Sequence, residues 1–296
     1  MYAQDKGYFA KVGLDLDLAK QTGPSSAVLP MLARGDLDIL PTTPAPGLFN
    51  QAIQGFDIKI IASLGLEKPG RLADVSLMVP KAEAGQFKEL TDLRGKTIDG
   101  AVEGTPTALT AIEAIRSAGL TPGKDVTLTY KARTVPDMVT LVKNQGADVV
   151  TMLEPVASQA VSEGYAVRWK TLADIAPWYQ PSFLLASTQT LNKNRAAFDK
   201  FMAVYLLASR EIDATNGQWT PDLVKPLAAW TGQTEDVIKS QGLVTYYDPN
   251  GAVSTDSLDR TQTLWQSLDL VKQKVDVQQL VDLGSLNTAL GAVGKA

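Results

Sequence analysis

The sequence predicts an α/β protein of two lobes that ends in a mainly helical part, and three observations carry that expectation. The chain has 296 residues, beyond the roughly 250 at which a single hydrophobic core usually stops growing. Over the first two-thirds, short β-forming runs alternate with helical patterns, as in a layered α/β fold. After Ser187 the alternation stops, and no further strand is expected.

Taken in order, residues 14–18 alternate leucine with aspartate and read as a strand. Ser25 or Ser26 is expected to cap a helix that carries Val28, Leu29 and Leu32 and ends at Gly35. Residues 37–40 read as a strand stopped by Pro41, residues 47–53 as a helix and residues 58–62 as a strand. A Lys-Pro-Gly-Arg turn at 68–71 precedes a strand at 75–79. The pattern then restarts, with strand 96–101, helix 105–118, strand 126–130, helix 138–144, strand 148–152 and helix 156–162. The run LARGDLDIL at 32–40 is matched by LVKNQGADVV at 141–150, each a helix end, a glycine, an aspartate and a buried strand. This is consistent with two related lobes, and equally with any pair of αβ units. A strand at 182–186 closes the α/β part.

Beyond it, Phe198, Phe201, Met202, Tyr205, Leu206 and Ile212 fall on one helical face. Thr220-Pro221 and Thr234-Glu235-Asp236 read as helix starts. Leu258, Leu264, Trp265, Leu268 and Val271 form another amphipathic helix, and residues 291–296 are expected to fray.

Composition excludes whole classes of chemistry. With no Cys there is no disulfide and no thiolate, and with no His there is no Ser-His-Asp triad and no imidazole metal ligand. No metal or cofactor is expected. The formal net charge of −4 supplies no basic field for nucleic acid, and no apolar run is long enough to span a bilayer. The residues after Met1 are polar (Gln4, Asp5, Lys6), so no signal peptide is read there. There is no GxGxxG and no P-loop lysine.

Candidate binding groups cluster just past strand ends. Gly104, Thr105 and Thr107 precede a helix with Thr105 at its N-cap and Pro106 at its first position. Such a helix start offers free N–H groups and partial positive charge at the sheet edge where α/β folds bind ligands. It is also what any well-capped helix looks like. Thr42 and Thr43, held among Pro41, Pro44 and Pro46, form a stiff hydroxyl rim or a plain rigid loop. Ser63 lies at an equivalent height. Glu154 is placed to accept from a ligand or to cap the helix at 156–162. Trp178 and Tyr179 offer stacking surfaces or core packing.

At this point the residues resemble a known family. KGYFAKVGLDLDL at 6–18, ARGDLDI at 33–39, LRGKTI at 93–98, Gly146-Ala-Asp148 and Glu154-Pro155 are similar to motifs of periplasmic solute-binding proteins. These serve ABC importers of nitrate, alkanesulfonates, taurine and thiamine-pyrimidine precursors. The resemblance spans roughly residues 1–213. It implies the type II periplasmic binding protein fold, with residues 1–77 and 184–296 in lobe 1, residues 78–183 in lobe 2, and crossover strands at 75–79 and 182–186. The family's first strand has no counterpart here, so lobe 1 is expected to lack it. It further implies a periplasmic, monomeric, non-enzymatic protein whose hinge closes on a ligand held between the lobes and which then docks on an ABC permease. By position, the ligand groups would be Thr42, Thr43, Ser63, Gly104, Thr105, Thr107, Glu154, Trp178 and Tyr179. The expected ligand is a small organic anion, a sulfonate or carboxylate, alkyl or aryl. The alternatives are a pyrimidine or other N-heterocycle, or a lyase or hydrolase using Glu103 or Glu154 as base.

Overall fold

The computed structural model describes residues 1–20 and 25–296. Its strands are β1 (Leu40–Thr42), β2 (Lys59–Ser63), β3 (Gly65–Leu66), β4 (Val75–Pro80), β5 (Thr97–Asp99), β6 (Thr127–Thr129), β7 (Val149–Leu153), β8 (Ala166–Thr171), β9 (Phe183–Ala186) and β10 (Tyr246–Tyr247). The chain forms two compact units. The first comprises Met1–Leu66, Gln180–Glu235 and Tyr246–Ala296, and the second Glu67–Tyr179 and Asp236–Thr245.

The second unit is a helix–sheet–helix layer. Its sheet runs β6-β5-β7-β4-β8, with β5 parallel to β6 and β7, and β4 antiparallel to β7 and β8. Successive strand residues point to opposite faces, and both faces are covered. Leu77, Ile98 and Val149 pack with Ala111, Ala114 and Ile115 of the helix Pro106–Ser117. Met78, Val150 and Met152 pack with Met138 and Val142 of the helix Val135–Lys143 and with Ala157 and Ala160 of the helix Val156–Ser162. Double coverage is why β4 and β7 read as continuous apolar runs rather than alternating ones.

In the first unit β9 lies between β1 and β2, antiparallel to both. One face packs Ile61, Ala62, Leu184 and Ala186 against Phe198, Met202 and Leu206 of the helix Arg195–Ala214. The amino-terminal helices Tyr2–Asp5 and Tyr8–Lys11 dock on that same long helix. Phe9 stacks on Phe201 at 5.5 Å, and the hydroxyls of Tyr2 and Tyr8 donate to the Glu211 carboxylate at 2.8 and 2.9 Å.

Several expectations are corrected. Residues 14–18 are irregular rather than a strand: Leu14 and Leu16 pack against the Phe9 cluster, but alternation alone makes no ladder, and among the described residues no strand pairs with them. Pro41 does not stop its strand; it sits inside β1, an edge position where a missing N–H is tolerated. β8 was not anticipated because Arg168 and Lys170 masked its period, yet Val167 and Trp169 alternate with them toward the core. A short strand does occur after Ser187, β10 pairing with β3. Leu268 and Val271 lie beyond the helix Thr255–Gln266. The C-terminal residues are tied down, with Arg210 donating to the Val293 and Gly294 carbonyls and Asn250 exchanging bonds with Ala296. The helix Ser25–Arg34 is present and Gly35 follows it at φ 77°, while the side chains expected to cap it lie outside the described residues.

Ile98 is fully buried where β5 packs against the helix Pro106–Ser117. Ile98→Ala should lower stability by about 2–5 kcal/mol, read as a lower urea midpoint with an unchanged slope.

Candidate functional site

In the first unit the sheet register aligns two of the expected residues. Thr42 on β1 and Ser63 on β2 both pair with Phe183 on β9. Directly opposed residues in antiparallel strands project from the same face about 5 Å apart, so hydroxyl, phenyl and hydroxyl form one row. The Ser63 backbone is fixed, its N–H donating to the Gly251 carbonyl at 3.1 Å and its carbonyl accepting from the Tyr205 hydroxyl at 2.6 Å. The Ser63 Oγ itself is fully buried and has no hydrogen-bond partner, a condition that usually marks a functional or water-filled position. The proline loop beside it is pinned from below, where the buried Trp265 indole N–H donates to the Pro44 carbonyl at 3.0 Å. Thr43 is half-buried, and its carbonyl accepts from Ala45 N–H and from the Thr42 hydroxyl.

In the second unit the site is built where β5 gives way to the helix Pro106–Ser117. Gly104 sits at φ 76°, a left-handed turn open to glycine. Thr105 occupies the N-cap position and Pro106 follows it, as the sequence suggested. The Thr105 side chain, however, makes no cap hydrogen bond: its hydroxyl turns back to the Val102 carbonyl and lies 2.8 Å from the Thr107 hydroxyl. The N–H groups of Thr107 and Ala108 have no acceptor within the helix. Two paired hydroxyls therefore stand at an uncapped helix start that favours anions. The approach is close because residue 100 lacks a side chain: a Cβ on Gly100 would lie 3.0 Å from the Tyr130 ring and 3.2 Å from Ala108 Cα. Burial, then the charges of Glu103 and Asp99, push the Tyr130 phenol up to about 12, so it stays a neutral donor at physiological pH.

The group that positions this turn was missed in the sequence. Asp99 is fully buried at the end of β5. Its carboxylate accepts from the N–H groups of Ala101 (3.0 Å), Lys131 (2.7 Å) and Ala132 (3.2 Å) and from the Thr129 hydroxyl (2.7 Å). Its carbonyl accepts from the Thr151 hydroxyl of β7 at 3.0 Å. The available signal was an acid directly after a buried strand, followed by a glycine.

Glu154 has both oxygens engaged within its own unit. One accepts from the Ser158 N–H at 3.2 Å, capping the helix Val156–Ser162, and the other is ion-paired with Arg168, which also donates to the Ser158 hydroxyl at 2.9 Å. Of the two aromatics, Trp178 is 54% exposed, while Tyr179 is buried. Trp178 adopts φ 65°, and the Lys68 ammonium lies 5.7 Å from its ring centroid. Among the described residues no group of acids is arranged to hold a metal ion. An open groove of about 510 Å³ elsewhere in the first unit, lined in part by Asp17, Leu18 and Trp230, contains none of the expected site residues.

An α/β layer with polar groups gathered past its strand ends defines a class of small-molecule binders. Residues 1–213 match the family model described as NMT1/THI5 like, and the chain belongs to that family. No curated protein sequence matches it significantly. Among solved structures, the periplasmic aliphatic sulphonate binding protein SsuA from Escherichia coli is similar with TM-score 0.68 and 22% identity, over 88% of this chain and 85% of that one. The periplasmic nitrate-binding protein NrtA from Synechocystis PCC 6803 gives TM-score 0.75 and 16% identity, over 99% and 84%. A mutant of the desulfurization enzyme DSZB, in complex with biphenyl-2-sulfinic acid, gives 0.65 and 15%, over 98% and 95%. These likenesses establish the type II periplasmic binding protein fold for this chain.

Replacing Asp99 with Ala leaves the buried N–H groups of Ala101 and Ala132, and the part-buried Lys131 N–H and Thr129 hydroxyl, without their acceptor. At about 1–3 kcal/mol for each unsatisfied group, partly relieved by entering water, Asp99→Ala should lower stability by about 3 kcal/mol or more in denaturant unfolding.

Proposed function

We propose that this protein captures a small organic anion, a sulfonate or carboxylate, and delivers it to an ABC import permease from the periplasmic side of a membrane. The observation that carries this reading is the uncapped start of the helix Pro106–Ser117, where Thr105 and Thr107 present paired hydroxyls beside open N–H groups. The backbone N–H groups of Thr107 and Ala108 are fixed neutral donors that hold an oxyanion without a countercharge, and the two hydroxyls, here bonded to Val102 and to each other, join them by turning toward it. In the same unit the exposed Trp178 ring supplies a flat apolar surface suited to an aryl group. The names of two similar proteins agree with an anion, sulphonate for SsuA and nitrate for NrtA.

The N-heterocycle alternative relied on a free Glu154 carboxylate, and Ser158 and Arg168 already occupy both of its oxygens. That engagement favours the anion. It also weakens the reading of Glu154 as the base of a lyase or hydrolase. DSZB is an enzyme of the same fold, but this chain has neither Cys nor His to supply a thiolate or an imidazole. Among the described residues, no helix is long and apolar enough to cross a membrane.

The test is a thermal-shift screen of the purified protein against alkyl and aryl sulfonates, aromatic carboxylates, nitrate and pyrimidines. A ligand at about 100 times its dissociation constant adds about 2.7 kcal/mol, a rise of several degrees for a chain of this size. One class of organic anion should produce that rise, and the double variant Thr105→Ala with Thr107→Val should weaken it at least tenfold in affinity while keeping the unliganded melting temperature within a few degrees. A rise with pyrimidines alone, or with none of these compounds, overturns the reading.

A further inference from the structure

Glu67 is the first residue of the second unit, and it is 4% exposed. Its backbone is locked into a corner: its N–H donates to the Tyr179 carbonyl at 2.9 Å, and its carbonyl accepts from the Trp178 N–H at 2.7 Å. Tyr179 is the last residue before the chain leaves that unit for Gln180. The two bonds thus fasten together the segments by which the chain enters and leaves the unit at this point. Trp178 stands at φ 65°, a strained conformation for a bulky residue, and it persists because its surroundings hold it.

The Glu67 side chain does not share in this bonding. Its Oε2 is buried with no hydrogen-bond partner. The charged groups that act on it are acids, Asp74 and Asp174. The nearest cation in sequence, Lys68, directs its ammonium toward the Trp178 ring. A buried carboxylate without donors and facing other carboxylates is disfavoured, and a neutral carboxyl is accommodated at far lower cost.

We propose that Glu67 is a proton-held latch on the corner it forms with Trp178 and Tyr179: neutral, it keeps the corner closed, and loss of its proton to water opens it. Burial, followed by the charges of Asp74 and Asp174, raises the Glu67 carboxyl from 4.5 to about 8. In the closed corner the proton is retained up to about pH 8, whereas a solvated Glu67 releases it near its ordinary value. Opening therefore releases a proton at intermediate pH and becomes easier as pH rises from about 5 to about 8, by up to tenfold per pH unit for a single proton. Above about 8 both states are ionised and the dependence levels off. The strain at Trp178 favours opening once the carboxyl no longer fits.

Hydrogen exchange of the whole protein from pH 5 to 9, corrected for the intrinsic pH dependence of exchange, tests this. Protection of the Glu67 and Trp178 amides should fall by up to tenfold per unit to about pH 8 and then flatten, while amides of β4 and β7 stay constant. In Glu67→Gln the same two amides should show no pH dependence. Flat wild-type profiles, an equal fall in Glu67→Gln, or a parallel fall throughout β4 and β7 would each overturn the latch. If the Gln variant does not fold, the wild-type profile, compared between corner and sheet, decides alone.

Discussion

The second unit depends on how the Asp99 carboxylate is solvated. A carboxylate taken out of water costs several kcal/mol unless hydrogen bonds replace its hydration. Here the replacement is complete without a cation, using the N–H groups of Ala101, Lys131 and Ala132 and the hydroxyl of Thr129. Those donors lie on the turn after β5 and on the end of β6 and the loop beyond it, and Thr151 of β7 holds the Asp99 carbonyl. One side chain therefore fixes the C-terminal ends of β5 and β6, and the backbone carbonyl of the same residue ties them to the middle of β7. Where the following helix begins is a consequence, since its start rests on Gly100 and the Tyr130 ring.

That order of causes explains why the Thr105 hydroxyl need not cap its helix. The turn before it is set from below, so the hydroxyl is released to Val102 and Thr107. The cost is a helix start whose first N–H groups lack acceptors, a fault in a structural helix but the requirement for an anion site. Glu154 shows the opposite arrangement at a neighbouring strand end. It caps its helix through Ser158 and meets Arg168, so that end is electrostatically closed. The two helix starts differ in their backbones, extended at Thr105 and not at Pro155, and in what their adjacent side chains do.

Much of this was legible in residue order. The βα alternation, the helix at 105–118, the strand at 75–79 and the helical C-terminal third all correspond to observed elements, because each combines periodicity with a stop signal. Three features were not. Residues 14–18 carry a strand's alternation, but pairing is a property of two segments and cannot be read from one. In β8, Arg168 and Lys170 interrupt the apolar period, and the partner of Arg168, Glu154, is 14 residues away. Asp99 resembled any acid near a turn, since its donors come from positions up to 33 residues distant. For the site, sequence could nominate Thr105, Thr107 and Ser63 by their place after strands. It could not tell that Glu154 would be paired or that Tyr179 would be buried beside an exposed Trp178.

Two buried acids in the same unit meet the same problem in opposite ways. Asp99 gathers donors from three segments and becomes the fixed point of the strand ends. Glu67 gathers none for its Oε2 and faces Asp74 and Asp174, so the proton must do what donors do for Asp99. Burial alone thus predicts neither rigidity nor responsiveness; the number of N–H and O–H groups aimed at the carboxyl does. An acid with its donors in place strengthens the fold at every pH where it is charged. An acid without them ties local order to the proton concentration, and here it does so at the corner where the chain passes between its two units.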